Sequence, residues 1–416
     1  MKKSLRIWGV CFLLSACNLE NADIGQKETF IKFFDFGEGF NIKETIADPG
    51  FICIGTYENL NGDITQAHLI KTDEEGNLQW LARYDDFAGR SVAELPGGGY
   101  IFVGDYINMD VGPDPIASMV VVLTNSSGDL QDTISIGDLV HDYHAQSFTF
   151  DTNGSLLVLG EFEDINGFDM LLLTKVNISG STLTRDWTKV YGVDNSNNIA
   201  GSSVHLNTTG EIIWSGSVFT EDEQTLDSYM KIYAVQPSSE ATNGSTQGEN
   251  STNNFFARDI QPIGNNFAII GTRGVGATSS MYFIKVDHFG NIINASEKVF
   301  DDEVLELKQQ SDGTILPSVY EGISLASTFD SGIILLGSRT SQLNDEYGEG
   351  ERDFMLIKTD NSGNVNWWKI IGGTGDEYGG TVIETMDDGI AIFGTSEFQG
   401  TPRMVLIKTT KKGVIY

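Results

Sequence analysis

The chain of 416 residues is short of three things. It has three cysteines, five histidines and 26 lysines and arginines against 58 acids. Cys11 lies in the apolar opening segment and Cys17 at its end, so Cys53 is alone in the body and no internal disulfide can staple the fold. A core built from 40% hydrophobic residues must do that instead. Cys53 sits in the run Gly50-Phe51-Ile52-Cys53-Ile54-Gly55, where a small buried hydrophobe is expected, not a nucleophile. The shortage of cations gives a formal charge of −32, a surface that repels nucleic acid phosphates and anionic lipid. Divalent cations and basic partners are permitted by it but not demanded. After the opening segment no apolar run approaches the length that spans a bilayer.

Met1-Lys2-Lys3 and Arg6 precede the apolar stretch Ile7 to Leu14 and the small residues Ser15-Ala16. A positive start, a short apolar middle and a small-residue end read as an export signal. The tetrad Leu14-Ser15-Ala16-Cys17 resembles the bacterial lipobox. That resemblance implies cleavage before Cys17, acylation of Cys17 and a mature protein held on a lipid bilayer, each buried CH₂ adding about 0.8 kcal/mol. Residues 1 to 16 carry three bases and no acid, so the mature charge becomes −35. The expected organisation is a signal at 1–16, a lipidated tether at 17–27 and one folded domain at 28–416. The address is the cell envelope, with the outer membrane or surface of a Gram-negative cell as the expected site.

The body repeats. A glycine ends an apolar run at Gly55, Gly104, Gly160, Gly216, Gly271, Gly337 and Gly394, spaced by 49, 56, 56, 55, 66 and 57 residues. Each unit has four short apolar stretches divided by turn residues such as Asp48-Pro49-Gly50, Thr152-Asn153-Gly154 and Asp387-Asp388-Gly389. Blade 6 into 7 shows the unit most fully: Asp353 to Asp360, then Ser362-Gly363-Asn364-Val365-Asn366-Trp367. Four strands repeated seven times predict an all-β propeller. Lysine-aspartate-glycine-asparagine-tryptophan runs such as Lys71-Thr72-Asp73 with Gly76-Asn77 and Trp80 resemble the propeller repeats of extracytoplasmic bacterial proteins. That resemblance implies architecture, not activity. It is weakest in blade 4, with its polar tract Pro237 to Asn254. The last unit offers three strands, near 380–386, 390–394 and 404–409, and the early stretch Thr29 to Phe36 is expected to supply its outer strand.

Long variable connections gather on one predicted face, at 108–115, 161–167, 220–226 and 339–352, where binding is usually built. Residues just past the repeat glycine should point there: Tyr57, Tyr106, Phe162, Phe219, Arg273, Arg339 and Phe398. Aromatics in such places can stack on sugars, and Arg273 and Arg339 have a fork suited to carboxylate or sulfate. The alternative is that both pair with loop acids such as Asp345, Glu346 or Asp376. His141-Asp142-Tyr143-His144 offers two imidazoles and no third ligand, Asp151 to Ser155 lacks the bidentate glutamate of a calcium loop, and Gly271 to Gly276 leads into no helix. No cofactor or metal is expected from these, although the acidic loops permit calcium. His68, His205 and His288 stand singly and are expected to pack as ordinary side chains. The readings that follow are an envelope binding module for a protein or glycan, a polysaccharide hydrolase or lyase using loop carboxylates, and a structural subunit of an envelope complex.

Overall fold

The computed structural model describes residues 29–416, except 60–64, 109–115, 139, 165–166, 192–197, 223–224, 236–241, 249–252, 277–278, 306–317 and 342–351. The expected signal, Cys17 and the expected tether therefore lie outside the described residues, as do most of the long connections. Among the described residues, twenty-eight strands form seven antiparallel four-stranded sheets, arranged around one axis. The chain folds as a seven-bladed β-propeller.

The innermost strands of blades 1 to 7 are Glu38–Thr45, Phe87–Glu94, Tyr143–Phe150, Asn198–Leu206, Phe255–Ile263, Val319–Ser327 and Glu377–Glu384. Six blades are built from consecutive strands. Blade 7 is completed by Phe30–Phe36, which pairs with Thr401–Thr409 in the register Phe30↔Lys408 and Ile31↔Ile407. The expected clasp is present. In blade 4 the fourth strand, Thr242–Gln247, comes from within the polar tract.

The second and third strands are apolar on both faces because each sheet is covered by a neighbour on either side. Seven clusters fill the seven spaces between blades. Ile52, Ile54, Leu69, Val92, Phe102 and Val120 meet between blades 1 and 2. The closing space holds Ile42, Phe51, Cys53, Ile70, Phe393 and Leu406. Continuous apolar runs such as Phe51 to Ile54 thus mark strands buried on both sides.

Each innermost strand breaks register once, at corresponding places: Gly39/Asn41, Gly89/Ser91, Ala145/Ser147, Gly201/Val204, Ala257/Asp259, Gly322/Ser324 and Tyr378/Thr381. A bulge pushes a carbonyl toward the second strand, and the repeat glycine is what receives it. A Cβ on Gly104 would lie 1.8 Å from the Ala88 oxygen, and one on Gly271 1.9 Å from that of Phe256. The residue after that glycine is polar for a separate reason. Thr56 Oγ1 accepts from Gly89 N at 2.9 Å, Asp105 Oδ1 from Ala145 N at 2.7 Å, and Ser217 Oγ from Ala257 N at 2.9 Å, each on the following blade. Gly39 N donates to Thr395 Oγ1 across the closing junction at 3.1 Å. These struts satisfy backbone donors that the bulge removes from the ladder.

Candidate functional site: the axial channel

The bulges aim side chains at the axis. The residue inside each one, among them Phe40, Arg90, Gln146 and Arg258, and the residues that follow it line a cavity of about 470 Å³ running along the centre. Below them lies a collar of short polar side chains, Asn41, Ser91, Ser147, Ser203, Asp259, Ser324 and Thr381. The collar joins neighbouring blades: Val204 N donates to Ser147 Oγ at 3.0 Å, Ile260 N to Ser203 Oγ at 2.7 Å and Leu325 N to Asp259 Oδ2 at 3.1 Å. Lys43 and His205 stand two residues beyond the collar on blades 1 and 4, and Gln261 does so on blade 5.

The channel's charge opposes that of the molecule. Lys43, Arg90 and Arg258 line it, and among its described lining residues Asp259 is the single carboxylate. Arg90 stacks 4.6 Å from the Phe40 ring centroid and lies 3.9 Å from Asp105 Oδ2. Lys43 is open to the lumen but surrounded by protein, which lowers its pKa; the Asp259 carboxyl opposes that shift. Burial and the nearby Lys43 charge bring His205 down to about 3, so its imidazole is neutral at pH 7. Burial raises Asp259 against four hydrogen-bonding groups, Leu325 N, Ser203, Gln261 and Ser324. His205, expected to pack like an ordinary core residue, instead faces this lumen.

The residues past the repeat glycine lie elsewhere, and most are engaged. Tyr57 stacks on His68 at 6.0 Å, Tyr106 leans on Phe87 at 5.4 Å, Phe162 stacks on Tyr143 at 5.0 Å and Phe219 packs on Phe256 at 5.9 Å. Arg273 pairs with Glu297 at 3.7 Å and lies over Phe255. Arg339 is 3% exposed and 3.9 Å from Asp302. The acids beside these arginines are thus Glu297 and Asp302; Asp345 and Glu346 lie outside the described residues. Phe398 is exposed, beside an apolar groove of about 470 Å³ that also involves Ile31 and Phe33 of the closing strand.

His141 bonds Asp138 at 2.9 Å and His144 bonds Asp105 at 3.1 Å, so the two imidazoles serve different carboxylates. Among the described residues no three histidine, cysteine or acidic side chains gather as a metal site. Asp151 caps its own hairpin, accepting from Asn153 N and Ser155 N, and pairs with Lys175.

No protein-family model matches the sequence, and no curated protein does. The fold is shared with solved structures. An ulvan lyase of polysaccharide lyase family PL25, bound to -[GlcA(1-4)Rha3S]-, is similar over 92% of this chain and 96% of its own, with a TM-score of 0.56 and 10% identity. A second structure of a PL25 ulvan lyase gives 0.54 over 92% and 97%. A Trypanosoma rangeli sialidase in complex with the inhibitor DANA gives 0.48 at 10% identity, and this chain spans only 57% of its length. At such identities the likeness is one of fold.

Proposed function

We propose that this protein is a lipid-anchored component of the bacterial cell envelope whose propeller binds a glycan in its axial channel. The lipobox-like Leu14 to Cys17 supports the anchor and an outer-membrane or surface address. The observation that carries the binding reading is the channel lining: Asn41, Gln146 and Gln261 amides and several serine hydroxyls, with the Phe40 ring at the bulge level. Amides and hydroxyls match the donor and acceptor pattern of sugar hydroxyls, and an aromatic face suits the apolar face of a sugar ring. Two-carboxylate hydrolysis has less support, since the one described channel carboxylate, Asp259, is held by donors on blades 4, 5 and 6.

The test is calorimetry against a panel of bacterial and algal oligosaccharides, with Gln146→Ala as the channel variant. Micromolar binding weakened about tenfold in the variant is expected. Absence of binding across the panel, or binding indifferent to the variant, overturns the reading. Anchoring is tested separately: incorporation of a labelled fatty acid should disappear in Cys17→Ser.

A second reading has its own observation. Ile31, Phe33, Phe36 and Phe398 are exposed on blade 7, the first two and Phe398 around the apolar groove, which favours a docked protein of an envelope complex. Purification from native membranes in mild detergent, with and without Phe33→Glu, distinguishes a stoichiometric partner on that rim from none.

A further inference from the structure

Four lysines at corresponding positions of the repeat each face a turn aspartate. Lys71 faces Asp48 at 3.6 Å, Lys175 faces Asp151 at 2.8 Å, Lys358 faces Asp330 at 2.8 Å and Lys408 faces Asp387 at 2.6 Å. The channel cations have no such partner. Among the described residues, Lys43 and Arg258 make no hydrogen bond and no ion pair within 4 Å, and the one acid near Arg90 is 3.9 Å away. Asp259 is the one lining carboxylate and its field reaches Lys43, but it makes no hydrogen bond to a cation. Its oxygens accept from Ser203, Ser324, Gln261 and the Leu325 amide, which bind three blades together.

Arg90 and Arg258 occupy the same register position, inside the bulges of blades 2 and 5, and Lys43 stands deeper on blade 1. Three positive groups thus reach one lumen from separate parts of the ring and at two depths. Cations that line a protein-walled lumen with no carboxylate hydrogen-bonded to them leave their donors for a bound anion to engage. Placing them there in a chain of charge −32 concentrates positive potential where an extended, negatively charged exterior does not compete. A volume of about 470 Å³ accommodates a small organic group, not just a bare ion.

We infer that the axial channel is an anion site that takes a carboxylate- or sulfate-bearing saccharide, its acid group held between Arg258, Arg90 and Lys43. The saccharide part rests on the glycan reading above; the anion site does not. Guanidinium forks hold planar carboxylates or sulfate edges in two-point contact, and the lysine supplies a point charge below them. Neutral His205 adds a hydrogen-bonding group without adding repulsion or attraction.

The test uses the mature full-length protein in mild detergent and three probes: sodium sulfate, sodium glucuronate and glucose. Glucuronate and sulfate are expected to bind, glucose at least tenfold more weakly. Arg258→Met and Lys43→Met should each weaken the anions at least tenfold, and Arg258→Lys should retain most of the binding. Thermal unfolding of each variant is measured first, and Arg258→Gln and Lys43→Gln replace any methionine variant that does not fold. Sulfate binding without saccharide binding upholds the anion site and removes the glycan. Saccharide binding that ignores charge on the sugar and both substitutions upholds the glycan and removes the anion site. Absence of all three overturns both.

Discussion

Lys408 Nζ lies 2.6 Å from Asp387 Oδ2, joining the third strand of blade 7 to the turn after its innermost strand. The same link is made by Lys358 with Asp330, Lys175 with Asp151 and Lys71 with Asp48. The lysine of the repeat motif and the aspartate of the hairpin turn are therefore one device. It lets a buried ammonium end on a charge while its methylenes lie in the sheet.

This device sets an acid response. The Lys358 hydrogen bond, with help from Thr328, brings Asp330 down to about 2. A carboxyl lower in the folded than in the unfolded chain contributes stability above pH ~4 and loses it as pH falls toward its folded value. Melting temperature should drop between pH 4 and 2. In Lys358→Met the protein should melt lower at pH 7 and show a shallower drop there, followed by circular dichroism.

Asp259 has the opposite sign. Burial raises it, so the protein gives up stability as pH rises from about 4 through the raised folded value. Asp259→Asn should flatten that part of the profile. Asp259→Ala strips the acceptor from Ser203, Ser324 and Leu325 N and should cost about 2 kcal/mol in urea unfolding.

Gly104→Ala places a methyl against the Ala88 carbonyl and should destabilise by about 3 kcal/mol, because neither backbone can retreat without opening the bulge. Gly97→Ala meets nothing within 4 Å and should change stability by under about 0.5 kcal/mol. Equal effects in chemical denaturation would contradict the role given to the repeat glycine.

Cys53 is fully buried and its thiol is pushed well above its ordinary range by burial. In a variant lacking residues 1–17, where it is the sole cysteine, reaction with a thiol reagent should proceed at the rate of unfolding and be independent of reagent concentration. Fast labelling in native buffer would show the space between blades 7 and 1 to be open.

Removing residues 29–36 should leave Thr401–Thr409 as a bare edge, lower the melting temperature by more than 10 °C and promote aggregation. A synthetic peptide of residues 28–37 should restore part of the loss.

The repeat glycines located every blade because each must be a glycine, and turn residues are explicit in sequence. The clasp was readable because Thr29 to Phe36 had strand pattern but no partner nearby. The channel was not readable. Lys43, Arg90, Arg258 and Asp259 lie on four strands of ordinary alternation, and chain order says nothing about which strands share an axis. Bulges compound the difficulty, since each adds a residue and turns a side chain inward. A signal did exist in six of the seven blades: the glycine or alanine of the strand before the repeat glycine, at Gly39, Gly89, Ala145, Gly201, Ala257 and Gly322, with a lumen residue directly after it. Counting past the repeat glycine instead led to Tyr57, Tyr106 and Phe162, which face the blade's own aromatics.

Thr29 and Tyr416 are hydrogen-bonded across 387 positions of chain, at the seam where the first strand meets the last. Blades 1 to 6 require only neighbouring hairpins and can assemble in the order in which they are made, whereas Phe30–Phe36, made first, has no partner until Thr401–Thr409 has been made. Closing the ring therefore joins the two most distant segments of the chain and carries the largest loop-closure cost of any strand pairing in the fold.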